Sequence, residues 1–172
     1  MIATATADAA PRTQDEVVGD LIVRLGQENF GTGPRAELRR MDPRSASPSN
    51  PALHRLLARH VPEAWLGGEG LHRWTLLIHL LALAAPSPLQ GFAPLGAALF
   101  AAGYNEGRLT MLLEVQKKDF PVVLPRMVRF LVAKGSSPHP YQLARLVLGG
   151  GRDDDRLAIA RAFYRAEAKS AA

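Results

Sequence analysis

The chain of 172 residues contains no cysteine, so disulfide bonds and thiolate metal sites are excluded. Its stability must therefore come from the burial of apolar side chains. A chain without cysteine fits a reducing compartment, and we expect a cytoplasmic location. Aromatic residues are also few, with six Phe, three Tyr and two Trp. If the chain binds nucleic acid, base stacking is expected to be secondary to electrostatic contact.

No apolar run is long enough to cross a bilayer. The most apolar segment, residues 71–85, is interrupted by one arginine and two histidines and is followed by Pro86. It falls short of the roughly 20 residues that a membrane-spanning helix needs. The segment therefore predicts a buried helix, and no membrane partner is expected. The first residues lack a basic stretch followed by an apolar core, so we interpret residues 1–12 as a disordered tail.

Alternation of apolar and polar residues between hairpin turns, the pattern of β-strands, is missing as well. Apolar residues recur instead at spacings of three and four, which predicts an all-α helical bundle of about nine helices with no sheet. We expect two small helical lobes, residues 13–103 and 104–169, and a short tail, residues 170–172. Glycine and proline clusters separate the predicted helices, which cover about residues 14–30, 35–42, 53–60, 71–85, 93–102, 105–117, 122–134, 141–148 and 153–169.

Patterns typical of enzymes are absent. The glycine run at residues 149–151 lacks the Lys-Ser/Thr ending of a phosphate-binding P-loop. His72 and His79 share a helix face, but no carboxylate lies between them to complete a metal site. The adjacent carboxylates of residues 153–155 cannot all point in one direction on a helix. We therefore expect no enzyme activity, no catalytic residue, no metal site and no cofactor.

Positive charge, in contrast, is present and unevenly spread. Lys and Arg total 21 against 16 Asp and Glu, which gives a formal charge of +5. Between residues 35 and 59, six arginines stand against two acidic residues. Such an excess favours the binding of polyanions, because each phosphate contact releases condensed counterions. The short basic helix that begins at Arg35 is therefore the first candidate for a nucleic-acid contact.

Four segments of the chain together resemble one protein family. They are residues 35–40 (RAELRR), 99–108 (LFAAGYNEGR), 140–148 (PYQLARLVL) and 159–164 (IARAFY). In their order and spacing they are similar to the CasB family, the small subunit of the type I-E CRISPR surveillance complex Cascade. The resemblance covers about residues 17–164, and it depends on the order of the segments, because none of them is strongly specific alone.

The resemblance implies a non-catalytic, all-helical, two-lobed protein that sits in two copies along a guide-RNA complex. Members of the family contact the backbone of the displaced non-target DNA strand and support the duplex of guide RNA and target DNA, while a separate nuclease-helicase degrades the DNA. The implied partners are the guide RNA, both DNA strands, the large and backbone subunits of Cascade and a second copy of the chain. The positions that match the family's basic positions are Arg40, Lys117 and Arg126, with Arg39, Lys118, Arg129, Arg145 and Arg73 as weaker candidates.

Other interpretations of these residues stay open. Arg39 and Arg40 could form the solvated face of an amphipathic helix, and the two adjacent lysines could complement a helix macrodipole. Arg108 follows a helix start, where positive charge is unfavourable, so it is either a structural ion pair with a carboxylate such as Glu37 or a nucleic-acid contact. The alternative function is a helical protein-interaction adaptor without direct nucleic-acid contact, whose binding would barely respond to salt.

Overall fold

The computed structural model describes residues 12–85 and 92–172. Over these ranges the chain forms nine α-helices and three single-turn 3-10 helices with no strand, which confirms the predicted all-α class. The predicted break at Pro86 and most of the predicted tail lie outside the described residues. The 3-10 helices are η1 (Glu28–Phe30), η2 (Glu63–Trp65) and η3 (Lys117–Asp119). The α-helices are α1 (Gln14–Gly26), α2 (Thr32–Arg40), α3 (Pro51–His60), α4 (Gly70–Ala84), α5 (Leu95–Ala101), α6 (Glu106–Glu114), α7 (Phe120–Ala133), α8 (Pro140–Leu148) and α9 (Asp153–Ser170).

Helix α4 is the centre of the core. Residues 74–82 of this helix are all buried, and the helix packs against α1, α2, α3, α7 and α8. The interrupted apolar run therefore forms a buried helix, as its length and composition predict. Trp74 is 2% exposed and stacks on Trp65 with ring centroids 5.9 Å apart. None of the helices in the described ranges combines the length and the apolar character that a membrane span requires.

The core continues across the boundary predicted between residues 103 and 104. Helix α4 packs on α7 and α8, and α5 packs along α9 in the most extensive helix contact. Gly96 permits this approach, because a Cβ atom there would lie 2.0 Å from the carbonyl oxygen of Ile159. Phe100 of α5 meets Phe163 of α9 edge to face at 5.4 Å. The two-lobe division stays a prediction, and the buried cluster among the described residues runs through that boundary.

Helix α1 ends four residues earlier than the apolar spacing predicts. The carbonyl groups of the last helical turn have no partner within a helix and need donors from elsewhere. Arg35 supplies them here, because its Nη2 donates to the carbonyl oxygens of Leu25 at 2.8 Å and Gln27 at 3.1 Å. Gln27 takes an extended conformation, and the next three residues form η1 as a separate turn.

Helix α6 also ends before its predicted boundary near residue 117, and again an arginine accounts for the difference. Arg156 on α9 donates from Nη2 to the carbonyl oxygen of Val115 at 2.8 Å and from Nη1 to that of Leu113. Its Nε donates to the carbonyl oxygen of Gly151 at 2.7 Å. One guanidinium group therefore joins the end of α6 to the turn before α9.

Arg12, which the sequence assigns to the disordered tail, belongs to the folded part. Its guanidinium group pairs with Asp20 on α1 and donates to the carbonyl oxygen of His60 at 3.3 Å. The tail interpretation is therefore corrected at this residue, because these contacts hold Arg12 between α1 and the end of α3.

Candidate nucleic-acid interface

Three of the predicted contact residues lie together on one surface. Arg73 in the first turn of α4 and the adjacent lysines of η3 line a groove of about 390 Å³ between α4 and α7. This volume is within the range of about 300–1,000 Å³ found for sites that hold small molecules, so the groove can admit a nucleotide-sized group. We call it the basic groove and define it by its polar residues, Arg44, Glu69, His72, Arg73, Lys117 and Lys118.

Arg73 is fixed within the basic groove by contacts at both ends of its guanidinium group. Its Nη1 donates to the carbonyl oxygen of Leu148 at 2.9 Å, and its Nη2 donates to Glu69 at 2.7 Å. The first contact satisfies a free carbonyl at the end of α8. Arg73 therefore holds α4 and α8 together, and it also places positive charge at the groove.

Glu69 accepts hydrogen bonds from two cations of the basic groove. Lys117 Nζ lies 2.9 Å from its Oε2, the same oxygen that Arg73 contacts. The hydrogen bond from Lys117, followed by the one from Arg73, holds the pKa of Glu69 below its ordinary value. Lys118 has no ion pair among the described residues. Glu69 is the one carboxylate that lines the groove, so the surface keeps an excess of positive charge.

The glycine run between α8 and α9 lies close to two cations of the basic groove. Gly150 has a φ of 69°, and its N–H donates to the carbonyl oxygen of Val147 at 3.1 Å. A Cβ atom on Gly150 would lie 3.1 Å from Lys117 Cδ and 3.4 Å from Arg73 Nη2. A glycine is therefore suited to this position both by its backbone conformation and by the closeness of the two cationic side chains.

Arg39 and Arg40 are neighbours in the sequence but differ in their surroundings. Arg39 Nε donates to the carbonyl oxygen of Ala82 at 2.8 Å, and its Nη2 donates to that of Ala85. Arg39, on α2, therefore caps the C-terminal end of α4. Burial, followed by the charge of Arg35, lowers the pKa of the Arg39 guanidinium. Arg40 is exposed, without an ion pair in the described ranges, and it does not line the basic groove.

Arg126 and Arg129 lie one turn apart on α7, and both are exposed. Arg126 borders a second concavity between α6 and α7, which is separate from the basic groove. Arg129 lines neither of these concavities, and its charge, after the larger effect of burial, lowers the pKa of His79 on α4. The structure therefore does not bring Arg126 and Arg129 into one groove with the lysines of η3.

The concavity beside Arg126 is mainly apolar, and we call it the apolar groove. Met111 is 72% exposed and Val122 is 39% exposed, and both line it. Arg108 lines it too and lies over the ring of Phe130, with its Cζ 5.7 Å from the ring centroid. Arg108 makes no ion pair with Glu37 or another carboxylate of the described chain, so the ion-pair interpretation is corrected to a cation–π contact.

Arg145 lies apart from the other candidates on α8. Its Nη2 is 3.5 Å from Asp15 Oδ2, and this pair borders a concavity that also contains Glu16 and Asp20. Three carboxylates close to a single arginine make a local environment that would repel phosphate. Among the candidates, Arg145 therefore has the least favourable surroundings for a nucleic-acid contact.

Three polar residues of the basic groove, Arg44, Glu69 and His72, were not predicted from the sequence as contacts. Arg44 follows α2, where it pairs with Asp42 at 3.1 Å. Glu69 and Arg73 are four residues apart, a spacing at which opposite charges meet on a helix, so their pairing was visible in the sequence. His72 lies in the first turn of α4, between these two residues. What the sequence could not show is that η3, distant in the chain, lies beside them.

No group of three or more His, Asp and Glu side chains that could hold a metal ion is present in the described ranges. Comparisons with protein-family models, curated proteins and solved structures found no match for this chain. The support for a function therefore comes from the residues and the geometry of the chain itself.

Proposed function

We propose that this chain is a non-catalytic small subunit of a type I-E CRISPR Cascade complex that binds the nucleic-acid backbone in the cytoplasm. In this role it stabilises the displaced non-target DNA strand and the R-loop of guide RNA and target DNA during antiviral defence. Its partners would be the guide RNA, both DNA strands, the large and backbone subunits and a second copy of itself. The proposal rests on the resemblance of four ordered segments and on the geometry of the basic groove.

The observation that carries the proposal is the convergence of four cations from three parts of the chain. Arg44 follows α2, Arg73 opens α4, and Lys117 and Lys118 form η3, yet all of them line the basic groove. A convergence of like charges is electrostatically unfavourable unless an anion occupies the site. Glu69 is the single carboxylate that lines the groove with them, so it offsets only part of their charge.

The chemistry of the groove suits the recognition of a backbone rather than a sequence. Lysine acts as a mobile point charge, and arginine can grip a phosphate with two parallel hydrogen bonds. Exchange of a DNA duplex for a guide RNA–DNA duplex is nearly balanced in free energy. A modest affinity for the displaced strand is therefore enough to favour the open R-loop.

The two lysines provide the test. The chain has four lysines, so the double variant Lys117→Gln, Lys118→Gln can be compared with Lys134→Gln, Lys169→Gln, which removes the same charge elsewhere. We expect the first variant to bind a single-stranded 30-nucleotide DNA about tenfold more weakly at low salt, and the control variant to bind it less than twofold more weakly. Fluorescence anisotropy measures both affinities.

The salt dependence of the same binding identifies the kind of contact. If both lysines contact phosphates, the plot of log affinity against log salt should become shallower by about 1.4, because each contact on a single strand contributes about 0.7. Equal affinities and equal slopes for the two variants would refute the assignment of the groove. Circular dichroism and thermal melting of each variant check that the fold is intact.

The apolar groove favours a second candidate function, that of a helical protein-interaction adaptor. Met111 and Val122 expose apolar surface between α6 and α7, with Arg108 and Arg126 beside them. Exposed apolar patches mark interaction sites in many proteins. The salt dependence of binding distinguishes the two functions. An adaptor would keep its affinity for its partner between about 50 and 200 mM salt, whereas a backbone binder would lose most of its affinity for DNA.

A further inference from the structure

Another concave surface, which shares no lining residue with the two grooves, lies between the end of α1 and α3. It is formed where the end of α1 and η1 meet the exposed face of α3. Three arginines from two helices line it, together with the ring of Phe30. We call it the α3 pocket and define it by Arg24, Phe30, Arg55, Arg59 and His60.

The α3 pocket has no carboxylate among its lining residues. None of its three arginines forms an ion pair within the described part of the chain. Asp20 does not line the pocket, but its carboxylate lies 4.0 Å from His60 Nδ1 and pairs with Arg12. The α3 pocket thus differs from the basic groove, where Glu69 offsets part of the positive charge.

The arrangement of the arginines carries an electrostatic cost in the free protein. Arg55 and Arg59 are four residues apart on α3, a spacing at which like charges repel each other. Arg24 faces the same concavity from α1. A bound anion would relieve this repulsion, so the cluster is expected to favour an anion over solvent.

Arg24 is held in place by neutral groups, so its charge stays available. Its Nη1 donates to Gln27 Oε1 at 2.8 Å and to Asn29 Oδ1 at 3.0 Å. Its guanidinium also lies over the ring of Phe30, with Cζ 5.5 Å from the centroid. Arg35 lies over the same ring at 5.9 Å, so this aromatic ring already carries two cations and is poorly placed to stack on a base.

The size of the α3 pocket limits what it can hold. Its volume of about 160 Å³ is below the range of about 300–1,000 Å³ typical of small-molecule sites. It suits a single phosphate group rather than a whole nucleotide. His60 adds a polar atom, since its Nε2 is buried and has no hydrogen-bond partner among the described residues.

We infer that the α3 pocket is a second phosphate-binding site, which holds one backbone phosphate of a nucleic-acid strand between Arg24, Arg55 and Arg59. It shares no lining residue with the basic groove. The strand would therefore be held at two separate places. The identity of the phosphate carrier rests on the proposed function, whereas the phosphate site itself rests on the arginine cluster.

The first experiment observes the arginines directly. Nε–Hε signals of the labelled full-length protein are recorded by nuclear magnetic resonance during titration with inorganic phosphate and with a thymidine dodecanucleotide at constant ionic strength. We expect saturable shifts for Arg55 and Arg59 with the oligonucleotide. Arg161 and Arg165 are an exposed pair of arginines with the same spacing on α9, and their signals should not move.

The second experiment measures the contribution of the α3 pocket to affinity. Arg55→Gln, Arg59→Gln should weaken binding of a single-stranded 30-nucleotide DNA about tenfold at low salt, and the matched control Arg161→Gln, Arg165→Gln should weaken it less than twofold. Arg55→Lys, Arg59→Lys keeps the charge and should recover part of the affinity. Both α3 arginines are exposed, and circular dichroism checks the fold of each variant.

The outcomes separate this inference from the proposed function. If Lys117→Gln, Lys118→Gln binds DNA as well as its control while the α3 variant loses affinity, the phosphate site in the α3 pocket is supported. The assignment of the basic groove is then refuted. Saturable shifts with inorganic phosphate alone would overturn the nucleic-acid carrier. The inference is refuted if no titrant gives a saturable shift of Arg55 and Arg59, or if the α3 variant binds DNA as well as its control.

Discussion

Two sets of cations on this chain do different things, although Arg73 of the first set also lines the basic groove. Arg35, Arg39, Arg73 and Arg156 donate to carbonyl oxygens at the ends of α1, α4, α8 and α6. We call them the helix-ending arginines. Lys117 and Lys118, by contrast, point to an open groove and are bonded at most to one surface carboxylate.

The difference shows that an excess of arginine is not by itself a measure of nucleic-acid affinity. Of the six arginines between residues 35 and 59, Arg35 and Arg39 donate to carbonyl oxygens at helix ends, and Arg44 lines the basic groove but pairs with Asp42. The remaining three are Arg40, Arg55 and Arg59. The positive surface of the protein is therefore smaller than the sequence suggests, and it is divided among separate places.

The largest expected effect belongs to Arg156, which contacts three carbonyl oxygens. Arg156→Gln should lower the free energy of unfolding by about 3 kcal/mol, because hydrogen bonds to a charged donor contribute about 1.5–3 kcal/mol each and glutamine replaces them only in part. Urea denaturation measures the loss. The matched control is Arg161→Gln on the exposed face of the same helix, which should change stability by less than about 0.5 kcal/mol. Similar stabilities for the two variants would contradict the structural role of Arg156.

The next effect compares two adjacent arginines. Arg39→Gln should lower the free energy of unfolding by about 2 kcal/mol, because two carbonyl groups at the end of α4 lose their donor. Arg40→Gln should leave stability within about 0.5 kcal/mol of the parent.

The variant with the smaller loss of stability should show the larger loss of DNA affinity. Arg40→Gln is expected to weaken binding of single-stranded DNA by about threefold, and Arg39→Gln to leave it unchanged at a temperature where the variant is folded. A loss of affinity in the Arg39 variant alone would show that the contrast between Arg39 and Arg40 is wrong.

The smallest expected effect is a gain. Glu69 accepts hydrogen bonds from Arg73 and Lys117 in the basic groove, so Glu69→Gln removes a charge that competes with phosphate for the same donors. Affinity for single-stranded DNA should rise by about threefold at low salt. The control Glu63→Gln alters the net charge equally at an exposed position on η2. An equal gain in both variants would mean that net charge, and not this carboxylate, sets the affinity.

Most of the fold could be predicted from local patterns. Helices α4 and α9 match their predicted bounds within about one residue, because an apolar run and an acidic first turn are signals within the segment itself. The early ends of α1 and α6 could not be predicted, since Arg35 and Arg156 supply the donors from other elements.

The candidate site was predictable only in part for the same reason. The sequence identified Lys117, Lys118 and Arg73, and they lie in one groove. It ranked Arg40 above Arg39 only through the family resemblance, and it could not show that Arg39 bonds to the end of α4, because that contact depends on how α2 packs on α4. It did not reveal that Glu69 and Lys117, 48 residues apart, share a hydrogen bond.

The helix-ending arginines have a consequence for how the chain folds. Arg73 and Leu148 are 75 residues apart, and Arg156 and Leu113 are 43 apart, so these helices acquire their final length only when distant parts of the chain have met. We therefore expect the formation of these helix ends to be coupled to tertiary docking. A peptide of residues 14–34, which lacks Arg35, should accordingly show no defined helix end at Gly26.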